Sequence, residues 1–341
     1  MFLHKNKVFQ LIDSKSIGGI ETHVLLLSEW AKCQGINNEV LFLSEHKSNP
    51  LGERLTMKGI PWRYLPNIKS ALKTFKTEAM LLATHGYKSG IIGRLLASIV
   101  NVPVVSTYHS GDLGRGKVRF YSWLDIQTSC LADQVMCVSA DIRKRIPSPA
   151  HQIENFVKRH HSPRTQGKQI AFVGRLSEEK NPESFARITR ELSTAYAIHM
   201  YGDGELKNTL RGYSHIIFHG EVQMDAHWND IGLLCITSKY EGLPLAALEA
   251  MSRGIPVISY AIGGLPDLIS HNVNGWLVSP DDEQAFVMCI NEWANLNSVE
   301  KSALSERVIN RVENTYTCDA VCPKIFNIYN AAIHSKKKKF L

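Results

Sequence analysis

The stretch "YEGLPLAALEAMSRGIP", residues 240–256, holds two glutamates, Glu241 and Glu249, with seven residues between them. An apolar run just upstream, residues 233–237, reads as a buried strand. Pro244 suits the first turn of a helix, where its missing N–H costs nothing. Ala246, Ala247, Leu248, Ala250 and Met251 are good helix formers. Gly254 ends the helix, and Pro256 opens the next apolar run. The unit is therefore strand–loop–helix–strand, with Glu241 in the loop and Glu249 inside the helix. Helical side chains lean toward their own N-terminus, so Glu249 can reach back to the helix mouth beside Glu241.

A helix N-terminus attracts anions through its free amides and its dipole. Two ionised carboxylates there only accept hydrogen bonds. Together they suit a ligand that carries both phosphate and hydroxyl groups, and a nucleotide-sugar is such a ligand. The plain alternative is that Glu241 caps a helix and Glu249 is a solvated helix residue.

The rest of the chain sets the bounds. A length of 341 residues suggests about two domains. With 44% hydrophobic and 21% charged residues, the composition is that of an ordinary globular protein. The apolar stretch 91–105 is broken by Arg94, Asn101 and Pro103, so no spanning helix is expected, and no signal peptide is read at the start. Seven cysteines lie mostly in apolar contexts and read as reduced thiols. Charge is uneven: residues 1–165 carry 22 basic and 12 acidic side chains, and residues 166–341 carry 17 and 20. A basic front half points to an acidic partner or to a solvated basic surface. No zinc finger or basic-aromatic cluster supports nucleic acid.

Apolar runs alternate with helical patterns along the whole chain, which argues for parallel α/β units. Strands are expected at 8–13, 40–43, 80–84, 104–107 and 134–139. A polar, proline-containing stretch at 155–169 reads as a linker. A second series follows, with strands at 169–173, 197–201, 216–218, 233–237, 256–260 and 276–278. Ligands in such sheets bind beyond the carboxyl ends of the strands. The glycine loops at 18–19, 174 and 263–264 all follow expected strands. Arg175 and Lys180, just after one of them, can neutralise a diphosphate as a fork and a point charge.

Taken in order, the glycine loop, the basic pair and the acidic pair carry a resemblance. The segments "SIGGIETHVLLLSEW", "PVVSTYHS", "AFVGRLSEEKNPE", "MYGDGELKNTL", "FHGEVQ", "SKYEGLPLAALEAMSRGIPVIS" and "IGGLPDLISHNVNGWLVSPDD" resemble family-4 retaining glycosyltransferases of the GT-B fold. The resemblance implies two Rossmann-like parallel-sheet domains facing a central cleft. The acceptor-side domain would be 1–165, the donor domain 166–320, and 321–341 a helix crossing back to the first domain plus a basic tail. It implies that Gly18 and Gly19 lie near the donor diphosphate and His109 near the donor sugar. Arg175 and Lys180 would meet the diphosphate. Glu241 would contact sugar hydroxyls, with the amides of Gly242 and Leu243 beside sugar and phosphate. Glu249 would hold the ribose, and the backbone from Gly220 to Val222 the base.

The expected activity is transfer of a hexose-type sugar, with retention, from a nucleotide-diphosphate-sugar to a glycan or glycolipid hydroxyl in bacterial surface polysaccharide or lipopolysaccharide assembly. His109 and Glu241 are the candidate catalytic residues. No cofactor or metal is expected: there is no D-x-D triplet, and Asp203-Gly204-Glu205 reads as a structural turn. His215 and His219 on one strand would lie about 13 Å apart, too far to share an ion. The expected location is cytoplasmic, with peripheral contact between the basic front half, the lysine run 336–339 and an anionic membrane face. Two alternatives stay open, a sugar-nucleotide epimerase of similar shape and a non-catalytic nucleotide-sugar-binding protein.

Overall fold

The computed structural model describes residues 6–109, 116–160, 167–192 and 196–338, with the side chains of 337 and 338 left out. The chain divides into two compact units, one built from 1–155 and 318–341, the other from 156–317. The division at 155/156 falls at the upstream edge of the polar stretch read as a linker.

In the first unit, seven strands form one sheet: β1 (Lys7–Ile12), β2 (Asn38–Phe42), β3 (Trp62–Tyr64), β4 (Ala79–His85), β5 (Val104–Tyr108), β6 (Gln134–Cys137) and β7 (His151–Gln152). Their order is β3-β2-β1-β4-β5-β6-β7, and every pairing is parallel. The chain winds outward from β1, then crosses back to start β4 on β1's other side. Strands β3 and β7 were not expected from the sequence. The first is three half-buried residues behind Pro61, and the second is two exposed residues at the sheet edge, so neither makes an apolar run.

The sheet buries a separate cluster on each face. Ile12, Val40 and Phe42 pack with Val24, Leu51 and Leu55 on one side. Phe9, Leu11, Leu41 and Leu82 pack with Phe75, Leu96 and Ala97 on the other. The alternation within β1 and β2 assigns neighbouring residues to opposite faces, as the two-residue period of a strand requires. The helix Cys318–Lys338 completes this unit by packing along β4, β5 and β6. Tyr329 is buried on it, with its hydroxyl 3.4 Å from Gln10 Oε1.

Six parallel strands build the second unit: β8 (Gln169–Val173), β9 (Ile198–Tyr201), β10 (Ile216–Gly220), β11 (Ile231–Ile236), β12 (Val257–Tyr260) and β13 (Gly275–Val278). Their order is β10-β9-β8-β11-β12-β13, and one continuous apolar cluster fills this unit. Both sheets therefore have the doubly wound pattern, with a reversal of direction between β1 and β4 and between β8 and β11. No helix among the described residues is long and apolar enough to cross a membrane.

Arg94 is fully buried in the first unit. Its Nη2 donates to Asp125 Oδ1 at 2.7 Å, to the Asp125 carbonyl at 2.9 Å and to Thr128 Oγ1 at 2.7 Å, while Nη1 donates to Ser106 Oγ at 3.0 Å. The guanidinium thus joins the helix Tyr87–Val100 to β5 and to the helix Lys117–Gln127. Removing it strands a buried carboxylate, so Arg94→Met should destabilise this unit by about 3–5 kcal/mol. Native-state hydrogen exchange of the β4 and β5 amides reports the loss. A change below about 1 kcal/mol would place the pair with surface ion pairs instead.

Candidate active site

The reversal in the second sheet brings two loops together at the carboxyl ends of β8 and β11. Three contacts join them. Thr237 Oγ1 donates to the Asn181 carbonyl at 2.9 Å, and the Lys239 amide donates to the Glu179 carbonyl at 2.8 Å. Lys180 Nζ lies 2.6 Å from Glu241 Oε1, and Ser238 Oγ donates to the same oxygen at 2.7 Å. Only 6% of the Glu241 side chain is exposed, against 25% for Lys180. The sequence assigns these two residues to different parts of a ligand; the structure pairs them with each other. Glu241 is therefore a buried, ion-paired group and not a free loop carboxylate.

Glycine shapes the loop from below. Gly263, at φ +54°, follows β12, and a Cβ there would overlap the Glu241 carbonyl oxygen. The Gly264 amide donates to the Gly242 carbonyl at 2.6 Å. The helix itself runs Leu245–Ser252, with Pro244 at its N-cap and no side chain capping it. Gly242 and Leu243 lie just before this open end. Glu249 sits within the helix and is half-buried. Arg253, near enough to feel the Glu249 charge, donates to Asp225 at 2.7 Å and packs over the Trp228 ring.

Toward β10 the strand ends are tied in a row. The Gly202 amide donates to the Gly220 carbonyl at 2.7 Å, and the Gly174 amide to the Tyr201 carbonyl at 3.0 Å. A Cβ on Gly202 would overlap the Gly174 carbonyl, so this turn packs backbone on backbone. Asp203 accepts from Lys207 Nζ at 2.5 Å and from the Gly204 amide at 2.7 Å, which gives it a structural task. Arg175 is exposed at the start of the same loop, and Val222 is half-buried just beyond Gly220. His219 stacks on Tyr201 at 4.2 Å and meets His199 Nδ1 at 2.8 Å, whereas His215 is paired to Thr189.

In the first unit the reversal between β1 and β4 gathers a different set. Gly18 is the extended N-cap and Gly19 the first residue of the helix Gly19–Cys33, so the pair opens a helix and is not loop throughout. One turn on, His23 is buried against His109, with ring centroids 4.6 Å apart. His109 follows β5 and lies 3.0 Å, Nε2 to Nδ1, from His85 at the end of β4. His85 Nε2 is 2.8 Å from Gln10 Oε1, and Gln10 Nε2 donates to Asn38 Oδ1 at 2.9 Å. This chain sets the tautomers. Gln10 presents its carbonyl, so His85 carries its proton on Nε2, accepts at Nδ1, and receives the Nε2–H of His109. The His109 Nδ1 is left as an acceptor. Burial pushes His109 down to about 4 and His23 and His85 well below the ordinary histidine range, so all three are neutral near pH 7.

Sequence reading missed Ser238, His23 and His85. His23 hides within an apolar helical pattern. His85 stood at a strand's carboxyl end, where ligands are expected, and that position was its one available signal.

Two Rossmann-like parallel sheets define a GT-B architecture, and sequence comparison gives the family. Residues 17–157 match Glycosyltransferase Family 4, and residues 167–295 match Glycosyl transferases group 1. The chain belongs to these glycosyltransferases. It is 27% identical over 288 residues to the O-antigen biosynthesis glycosyltransferase WbnH of Escherichia coli, covering 77% of this chain and 83% of the relative. It is 26% identical over 307 residues to the UDP-Gal:alpha-D-GlcNAc-diphosphoundecaprenol alpha-1,3-galactosyltransferase of Escherichia coli, covering 78% and 79% of the two chains. Among solved structures, HepE of Anabaena in complex with UDP-glucose superposes with a TM-score of 0.81 at 16% identity, covering 95% of this chain and 99% of the other.

Because Lys180 and Glu241 share one contact, their substitutions should not add. Lys180→Met, Glu241→Gln and the double variant form a cycle with an expected coupling of about 0.5–3 kcal/mol, read from urea unfolding of the second unit. Additive losses would show that the 2.6 Å contact carries no stability.

Proposed function

We propose that the chain moves a hexose, with retention at the anomeric carbon, from a nucleotide-diphosphate-sugar to a hydroxyl of a lipid-linked glycan in bacterial surface polysaccharide or lipopolysaccharide assembly. The observation that carries this reading is the Lys180–Glu241 pair, held at the switch point of the second sheet beside an uncapped helix start. Membership of a glycosyltransferase family supports it. So do the O-antigen biosynthesis in one relative's name, the alpha-D-GlcNAc-diphosphoundecaprenol in another's and the UDP-glucose bound to HepE.

In the proposed reaction the bond between the anomeric carbon and the phosphate oxygen breaks as the acceptor oxygen bonds to that carbon. The acceptor proton passes to the departing phosphate, and the products are a glycoside and a nucleoside diphosphate. Negative charge grows on the phosphate, so its partners must be fixed positive charges and amides. Lys180, Arg175 and the amides of Gly242 and Leu243 fill that role, each strong contact worth several kcal/mol. Lys180 is pre-aimed by Glu241. Both contacts to that carboxylate fall on Oε1, so Oε2 is the atom proposed to accept from a sugar hydroxyl. Glu249 is assigned to the ribose and the Gly220–Val222 backbone to the base. Gly18 and Gly19 are assigned to the donor diphosphate, and His109 to the sugar, accepting a hydroxyl at Nδ1. No divalent ion is assigned to the diphosphate.

Membrane contact is part of the proposal. The helix Lys117–Gln127 exposes Phe120 and Trp123 at 58% and 52%, with Val118 and Tyr121 also exposed and Lys117 and Arg119 among them. Basic side chains interleaved with aromatics suit a helix lying in a headgroup layer. Of the other basic groups considered for this surface, Lys336 is bound to both oxygens of Asp133 at 3.1 Å, which removes it. Arg115, Lys339 and the side chains of Lys337 and Lys338 lie outside the described residues.

Two experiments test the reading. With radiolabelled UDP- and GDP-hexoses and a lipid extract, the full chain should label the lipid fraction at least as well in EDTA, and Glu241→Gln should abolish labelling while the nucleotide still binds. Epimerised donor with no labelled lipid would favour the epimerase, and loss of labelling in EDTA that manganese restores would end the metal-free mechanism. Co-sedimentation with phosphatidylglycerol vesicles tests the membrane contact. Binding should fall with salt, since each basic residue near the surface contributes about 1 kcal/mol, and should fall again in Phe120→Ser/Trp123→Ser. Binding indifferent to both would rule this helix out.

A further inference from the structure

His23, His85 and His109 come from three separate elements of the first unit, the helix Gly19–Cys33, the end of β4 and the residue after β5. One ring nitrogen of each lies within 4.8 Å of the other two. The transfer chemistry proposed above uses only His109. His85 only fixes the His109 tautomer there, and nothing in it calls for His23, an imidazole buried to 3% exposure beside them.

We propose that these three histidines form a binding site for a zinc-class divalent ion. Imidazole nitrogen is the donor that first-row ions of this class favour. Three histidines with a fourth position left to water is an established zinc coordination set, with Zn–N near 2.0–2.1 Å. Nitrogens on a tetrahedral ion at that distance stand about 3.3–3.4 Å apart. His85 Nδ1 and His109 Nε2 are 3.0 Å apart, near that spacing, and one nitrogen of each ring lies within 4.8 Å of the other two, so the rings must rotate to close around the ion.

The supporting shell is in place. A ligating histidine commonly gives its other N–H to a carbonyl or carboxylate, which fixes the ring and raises its basicity. His85 gives its Nε2–H to Gln10 Oε1, and Gln10 is held in turn by Asn38 and Tyr329. His85 Nδ1 thus already presents its lone pair to the cluster. His85 also lines a pocket of about 110 Å³ together with Asp13, Glu21 and Lys88.

On binding the ion, His109 would move its Nε2 proton to Nδ1 and exchange its hydrogen bond to His85 for a metal bond. Its outward nitrogen would then donate where it had accepted. Such an ion sits apart from any metal clamp on a diphosphate, and the chelator-stripped chain keeps the His109 Nδ1 acceptor that the proposed transfer uses.

The test uses the full chain without a histidine tag, stripped with chelator and titrated with zinc sulfate by calorimetry. One ion per chain is expected. His23→Ala or His85→Asn should weaken binding by more than roughly 100-fold, and Gln10→Leu by roughly 10–100-fold. Circular dichroism checks that each variant folds. Cobalt(II) added to the wild type gives a readout that needs no variant: an intense visible band of a four-coordinate ion is expected. A weak six-coordinate spectrum, no saturable zinc binding, or binding unchanged in folded His23→Ala would overturn the proposal. This outcome is independent of transfer, because it is read with no sugar donor present.

Discussion

A parallel strand cannot be followed directly by its neighbour; the chain must leave the sheet at the strand's carboxyl end and cross back to the amino end before the next strand begins. Every pairing within the thirteen strands obeys this constraint. All carboxyl-terminal loops of a sheet therefore emerge along one edge, and at the reversal two neighbouring loops diverge to opposite faces. The gap between them is where side chains distant in sequence meet. Lys180 and Glu241, 61 residues apart, meet there in the second unit. His85 and His109 meet His23 at the matching place in the first. The chemistry of each unit follows from where its winding turns round.

Much of this was legible in the sequence, for a physical reason. A strand buried on both faces is apolar at nearly every position, and residues such as Pro244 and Gly254 mark where the helix between two strands begins and ends. Hence β8 was expected at 169–173 and is found there, and the helix after Glu241 starts within one residue of Pro244. The strands β3 and β7 escaped because they are three half-buried and two exposed residues, too short and too open to make an apolar run. The pairing of Lys180 with Glu241 escaped for another reason. Each residue type announces an affinity for a ligand group, but a cation and a carboxylate announce the same affinity for each other. Only the loop contacts through Thr237 and Lys239 reveal that they share a site. The buried histidines were the least legible, since their neighbours in sequence are apolar and their partners come from other strands.

One feature of the winding bears on how the molecule is made. The second unit is an insertion: the first unit is interrupted after residue 155 and resumes at 318. Val157 pairs with Thr317, so the two crossings leave the inserted unit side by side. During synthesis the seven strands of the first unit leave the ribosome early, yet the helix Cys318–Lys338 that covers β4 to β6 emerges only after the entire second unit. Domains generally fold as units as they appear, so here the order inverts. The inserted unit is synthesised in full before the first one is, and the surface around Gln10 lacks Tyr329 until the helix is made. A chain halted before residue 318 would hold the whole second unit and a first unit without its covering helix.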